Sequence, residues 1–284
     1  SPQTLDGVGE RRPMISGTVA DVPYPSNALL HLHFEEPSFA PAYADGTSLR
    51  HVGTCDSACE QAAGVLGRAV MLNNTDALTV SDPLRAGAPI TLGGYTLGLW
   101  VKPQSAQSAN LIARRTSGTG AIAYQLRINS AGRFEQFATD GATHVMSGTT
   151  TVTPGTWYHV VAVASSGDMM RLFVNGVEEG RPISVTALQG GGDQYLLGGQ
   201  TAGMAGYFAG LIDEAFVYGQ ALGAGQVYAI ARPVASGAQS VDVGLRHVKD
   251  FTDDAAIAWY PALMGQTGQL FSTWAFTLPE GLEG

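Results

Sequence analysis

Cysteine is almost absent from this chain: two occur in 284 residues, Cys55 and Cys59, four positions apart in HVGTCDSACEQ. So few exclude a disulfide-dense scaffold. They also exclude an ordinary structural zinc site, because His51, Cys55 and Cys59 supply three ligands where four are needed. A disulfide between Cys55 and Cys59 is the leading reading, with free thiols and a three-ligand metal site as the alternatives. It would contribute about 2 kcal/mol in the chain-entropy account and would indicate an oxidising, extracellular setting. Charge is scarce too, at 14% of residues, and 15 basic against 24 acidic side chains leave a net charge of -9. With no basic stripe in the chain, a nucleic-acid partner is excluded. Long apolar runs are missing: none approaches the roughly 20 residues of a membrane-spanning helix. The opening SPQTLDGVGERRP lacks the apolar centre of a signal peptide. Helix signals are rare as well, with one short segment, residues 223–231, ended by Pro233.

Turn and strand signals are plentiful. Thirty-seven glycines and many Thr and Ser suit short strands and frequent turns. Residues 157–164 form a continuous apolar run rich in valine, which breaks at Ser165-Ser166-Gly167-Asp168 and resumes at 169–174. Asn175-Gly176 then suits a tight two-residue turn into a third strand. In residues 28–36, ALLHLHFEE, Leu30, Leu32 and Phe34 alternate with His31, His33 and Glu35, the pattern of a strand with one buried face. Further strands are expected at 69–72, 77–80, 95–102, 110–114, 121–128, 133–138, 144–147, 194–197 and 208–218. The polar stretch 37–67 between them reads as a long loop pinned by the cysteine pair. Residues 1–26, with Pro2, Pro13, Pro23 and Pro25, read as an arm or linker with one extended segment at 14–19. Residues 233–284 hold about three strand signals, too few for an immunoglobulin-like sandwich. The expected fold is all-β: a two-sheet antiparallel sandwich with one short helix over 27–232, plus a partial β-sandwich tail.

Four blocks carry a family likeness: LGRAVMLNNTDALTVSD, YTLGLWVKP, TWYHVVAVASSGDMMRLFVNG and FAGLIDEAFVYGQALGAGQVYAI. Together, in this order, they resemble the LamG-like jelly-roll domains of the concanavalin A-like lectin and glucanase superfamily. The resemblance implies two curved sheets and a place on secreted or cell-surface proteins of modular build. In it Trp157 reads as a core anchor. One departure is the short helix, where Gly223 and Gly225 replace the family's serine cap and glutamate. The tail stretches WYPALMG and TWAFTLPEGLEG resemble the front of Ig-like modules that follow such domains in large bacterial surface proteins. An unfinished module exposes an edge. A continuing chain, the N-terminal arm or a second copy could cover it, and the last would give a homo-oligomer or head-to-tail filament.

The superfamily also implies sites. Some members hydrolyse glucans with paired carboxylates. Glu35-Glu36, Glu178-Glu179 and Asp213-Glu214 are adjacent pairs, and adjacent strand residues point to opposite faces, so no enzyme is expected. A structural calcium ion is implied at Asp213, with Glu35 or Glu36 and oxygens near Asp45 and Gly46, since hard oxygens suit that ion. The alternative is that Asp213 caps a turn or pairs with Arg68 or Arg114. Tyr124, Phe134, Phe137 and Tyr207 are candidates for a sugar-stacking platform, against the commoner role of strand aromatics in a core. His31 and His33 share a strand face and could hold a metal, with solvated histidines beside Glu35 the leading reading. Asn73-Asn74-Thr75 matches a glycosylation acceptor. The expected function is a non-catalytic extracellular module of a bacterial surface or appendage protein, for adhesion, glycan recognition or assembly. A structural filament subunit is the alternative, and a glycoside hydrolase a remoter one.

Overall fold

The computed structural model describes residues 28–57, 59–82, 93–188, 191–201 and 206–231. In chain order the elements are β1 (Ala28–Leu32), β2 (Tyr43–Ala44), β3 (Val52–Cys55), β4 (Glu60–Ala63), β5 (Arg68–Asn73) and β6 (Leu78–Ser81). There follow β7 (Gly94–Pro103), β8 (Ala109–Arg115), β9 (Ile122–Ile128), β10 (Arg133–Thr139), β11 (Thr143–Thr151), β12 (Tyr158–Ser165), β13 (Met169–Val174) and β14 (Val177–Ser184). The chain continues through β15 (Gln194–Leu197) and β16 (Ala209–Tyr218) to α1 (Ala224–Ile230). Two eight-stranded sheets result. Sheet A runs β14-β13-β12-β7-β16-β5-β4, with β1 also on β16; sheet B runs β11-β10-β9-β8-β15-β6-β3-β2. The strand pairings are antiparallel, so the expected all-β sandwich is what forms. The arm with its extended segment at 14–19 and the tail after 232 lie outside the described residues. Among the described residues no helix is long and apolar enough to cross a membrane.

The apolar run of β12 is explained by burial on both sides. Tyr158, Val160, Ala162 and Ala164 enter the core between the sheets. Val161 and Val163 point the other way and join Phe173, Phe216, Tyr218 and Leu222 beneath Val227 and Ile230 of α1. A strand covered on both faces needs no polar alternation. The turn after β13 is also as expected: Asn175 and Gly176 have φ of 52° and 79°, and Asn175 Oδ1 accepts the His159 N–H at 2.9 Å. The helix has no side-chain N-cap, but Gln226 Oε1 accepts the Gly223 N–H at 3.0 Å. Trp157 is not a core anchor. It is half-buried, with Lys102 Nζ 6.0 Å from its ring centre, and its neighbour Tyr158 takes the inward position.

The stretch 37–67 is not one loop. It holds three short strands, and it carries the chain from one sheet to the other: β3 pairs with β6 in sheet B, and β4 pairs with β5 in sheet A. Cys55 and Cys59 are joined as a disulfide across this passage, with Cα atoms 5.9 Å apart. The bridge therefore clips together the places where the two sheets exchange the chain.

Candidate functional site

A β-bulge in β16 organises one group of polar side chains. Against β7 the register passes from Asp213↔Trp100 to Phe216↔Gly98, so one extra residue is accommodated. On its other edge β16 changes partner at the same point. Residues up to Ile212 pair with β5, and residues from Ala215 pair with β1. Glu214 takes φ 46° there, a region costly for a side chain larger than glycine's. Both carboxylates leave the sheet on the side away from the core: Asp213 beside Trp100, and Glu214 toward His31, whose neighbours Leu30 and Leu32 fill the core. The expectation that adjacent carboxylates must diverge fails at this pair, because the bulge suspends strand alternation.

The two carboxylates have opposite surroundings. Asp213 is fully buried. Its Oδ2 accepts the Val65 and Leu66 N–H groups at 2.7 and 3.0 Å, and its Oδ1 the Glu214 N–H at 2.8 Å. Burial raises its pKa to about 7, with the charge of Glu214 adding to the rise and these N–H donors opposing it. Glu214 is 5% exposed. His31 Nε2 lies 2.7 Å from its Oε2, and His33 Nδ1 3.0 Å from its Oε1. Burial pushes this carboxyl up, but the imidazole contacts and their charge outweigh it and hold the pKa at about 2. The Glu214 contact in turn raises His33, against its burial. His31 is buried and His33 46% exposed, so of the two only His33 is solvated as the sequence suggested.

The residues implied for calcium are only partly gathered. Glu35 Oε1 accepts the Arg68 N–H at 3.2 Å, so Glu35 and Asp213 face the same Gly64–Gly67 turn from two sides. Gly67, at φ 54°, has the Glu35 carboxyl where a Cβ would stand. Glu36 is committed elsewhere, to the Ala44 N–H at 2.7 Å. Asp45 accepts the His31 and Thr47 N–H groups on Oδ1, and the Thr47 hydroxyl and His51 N–H on Oδ2. Burial opposes these donors, yet they hold Asp45 below the usual carboxylate range. Gly46 donates its N–H to His31 O at 2.8 Å. Asp213 pairs with neither Arg68 nor Arg114; among the described residues its partners are backbone N–H groups.

The outward face of sheet B carries a second polar group. Tyr124, Leu126 and Ile128 of β9 fill the core, so Gln125 and Arg127 face out; beside them on β10 stand Glu135 and Phe137. Gln125 Nε2 donates to Asn110 Oδ1 at 3.0 Å and to Thr201 Oγ1 at 2.8 Å. Arg127 Nε donates to Glu135 Oε1 at 2.7 Å, while Asn129 and Ser147 donate to Glu135 Oε2. Burial works against these donors, but they keep Glu135 below its ordinary range. Of the aromatic candidates, Phe137 lies here, half-buried, its ring centre 5.6 Å from the Arg127 guanidinium. Tyr207 is half-buried in the segment leading into β16. Tyr124 and Phe134 are 1% and 0% exposed and cannot form a platform. Tyr124 stacks on Tyr95 at 4.1 Å and Phe134 packs edge-on against Tyr158, so both strands turn these rings inward. The polar face was missed in the sequence, although Gln125-x-Arg127 and Glu135-x-Phe137 at period two were its signal.

Solved structures that superpose on this chain include binding domains. The binding domain of Paraclostridial Mosquitocidal Protein 1 superposes with a TM-score of 0.57 at 12% identity, over 72% of this chain and 52% of that one. The Botulinum Neurotoxin Type G receptor binding domain gives 0.55 at 12% identity, over 72% of this chain and 51% of that one. Domain 4 of AbnA, a GH43 extracellular arabinanase from Geobacillus stearothermophilus, in complex with arabinotriose, gives 0.52 at 21% identity, over 72% of this chain and 98% of that one. The chain thus spans about half the length of the two toxin domains and nearly the whole of the arabinanase domain. A search of curated proteins found no match. The family model of the concanavalin A-like lectin/glucanases superfamily matches residues 72–228, more than half of the chain, and the protein belongs to that superfamily.

Proposed function

We propose that residues 28–231 are a non-catalytic, extracellular carbohydrate-binding module, with the outward face of sheet B as its ligand surface. The observation that carries this is the half-buried pair Arg127 and Phe137, set over the buried polar row Asn110, Gln125 and Glu135. The buried row fixes the strands and the Glu135 carboxylate holds the Arg127 guanidinium in place, preorganised to meet sugar hydroxyls, while the Phe137 ring adds an apolar contact. The two toxin binding domains and the arabinanase domain in complex with arabinotriose, named above, support the reading. Isothermal titration with arabinotriose, together with a glycan array, tests it. Arg127→Ala and Phe137→Ala are each expected to weaken binding at least about tenfold, the scale of one lost charged or aromatic contact. Unchanged binding in both variants would overturn the choice of face, and no glycan binding at all would overturn the class.

Glycoside cleavage needs two carboxyl groups that a sugar can reach. Asp213 and Glu214 share a face, but both are buried and bound to backbone and imidazole donors, which supports a non-catalytic role. The disulfide supports an oxidising location. Calcium is proposed at Asp213 and Glu35, the two of the implied oxygen ligands that meet at one turn, where a cation would relieve a buried carboxylate crowded by Glu214. Removing it with a calcium-selective chelator is expected to lower the melting temperature; an unchanged value would dismiss the ion. Adhesion as part of a larger surface protein, and filament assembly through the tail, rest on residues 1–26 and 233–284, outside the described ones. A monodisperse monomer by light scattering would rule out the filament.

A further inference from the structure

The outward side of sheet A carries a side-chain group that neither sugar binding nor the calcium reading uses. His31 and His33 lie two residues apart at the start of the fold, their ring centres 4.0 Å apart. The bulge in β16 brings Glu214 to them across 181 and 183 positions of chain. One ligand atom from each residue lies within 4.8 Å of the others. Three features mark the arrangement as built. Glu214 is held at φ 46°, a strained conformation that persists only where its surroundings impose it. Its buried carboxylate is met by imidazoles, and among the described residues no lysine or arginine pairs with it. Gly46 leaves room for the His33 ring, since a Cβ there would stand 2.9 Å from His33 Nε2.

We propose that His31, His33 and Glu214 form a binding site for a divalent transition-metal ion of the zinc, cobalt and nickel class. Two imidazoles and one carboxylate are the borderline donor set these ions select, whereas calcium and magnesium take oxygen. Bonds of about 2.0–2.1 Å in tetrahedral geometry put ligand atoms roughly 3.3 Å apart. The imidazole nitrogens now stand 2.7 and 3.0 Å from the carboxylate oxygens, so widening by a few tenths of an ångström admits the ion. Binding releases any proton shared between imidazole and carboxylate. Three protein ligands leave a coordination position for water or for a donor group from a partner. His33, 46% exposed, gives the ion a route from solvent.

Cobalt(II) titration of the metal-stripped full chain, followed by visible absorption, tests the proposal. One equivalent is expected to develop d–d bands that zinc abolishes and calcium leaves intact. Saturating zinc is expected to raise the melting temperature by about 5–10 °C at a hundredfold excess over the dissociation constant. His33→Ala, at an exposed position that the fold tolerates, and Glu214→Gln should each weaken cobalt binding at least tenfold. His144→Ala, which alters a separate His–Asp pair, should leave it unchanged. Arg127→Ala should also leave it unchanged, which separates this site from the sugar-binding face. Absence of the bands, their persistence in both His33→Ala and Glu214→Gln, or displacement by calcium as readily as by zinc would each overturn the assignment.

Discussion

Two clusters of buried charge lie near β1, and they are balanced in opposite ways. In the first, Arg114 donates to Asp82 Oδ2 at 3.0 Å and to Gly192 O at 2.7 Å, with its guanidinium 4.5 Å from the Tyr195 ring centre. His51 links the same Asp82, at 3.4 Å, to Asp45 at 3.0 Å. A permanent cation sits at its centre. In the second cluster, Glu214 and Asp213 have imidazoles and backbone N–H groups but, among the described residues, no guanidinium or ammonium. The first cluster is therefore balanced by a guanidinium, and the second by imidazoles, the groups proposed above as metal ligands. Equal burial does not imply an equal way of balancing charge.

The largest expected effect breaks the first cluster. Arg114→Met removes the buried guanidinium from Asp82 and Gly192 O and should cost about 3–5 kcal/mol of unfolding free energy, read from the urea midpoint. A loss below about 1 kcal/mol would mean the clusters are not different in kind.

A buried imidazole with no anion supplies the intermediate case. His159 lies between Trp100 and Phe216, at 5.1 and 6.0 Å, and among the described residues neither ring nitrogen has a hydrogen-bond partner. Burial depresses its pKa to about 3. Its neutral form contributes fully above the unfolded value near 6.5, and the contribution is lost as pH falls from there toward 3, because the unfolded chain takes up a proton the folded one refuses. Between pH 7.5 and 5.5 this amounts to about 1 kcal/mol. His159→Phe should flatten that part of the stability profile, and an unaltered slope would contradict the assignment.

The smallest effect belongs to the second cluster. In metal-free protein His33→Ala should change stability by less than about 1 kcal/mol, since its side chain is nearly half exposed. A cost comparable to that of Arg114→Met would show the second cluster to be structural after all.

The architecture was legible because its signals are local. The β12 run, the Asn175-Gly176 turn and the period-two patterns of β7, β9 and β10 each record burial by their own residues. The short strands β2, β3 and β4 were not legible: they lie at or near sheet edges with mostly exposed side chains, so no apolar alternation marks them. The same limit hid the two polar groups. Alternation read correctly for His31 and His33 on one face, but the burial of His31 comes from partners far along the chain. The bulge at Asp213-Glu214 is set by the exchange of β5 for β1 along β16, which no local pattern encodes. Trp157 was misplaced for a related reason: a tryptophan beside a buried strand looks like core, but strand parity assigns that place to Tyr158.

The position of β16 carries a consequence for the order of assembly. It lies between β7 on one edge and both β5 and β1 on the other, yet it is the last strand of the described sandwich to be synthesised. During translation β1 and β5 wait for β16 until residue 218 has emerged. The turn at Gly64–Gly67 waits for its Asp213 anchor, and His31 waits for Glu214. Sheet A can therefore close only at the end of synthesis, through contacts of long sequence separation, which are slow to form. Until then its open edge is exposed to other chains.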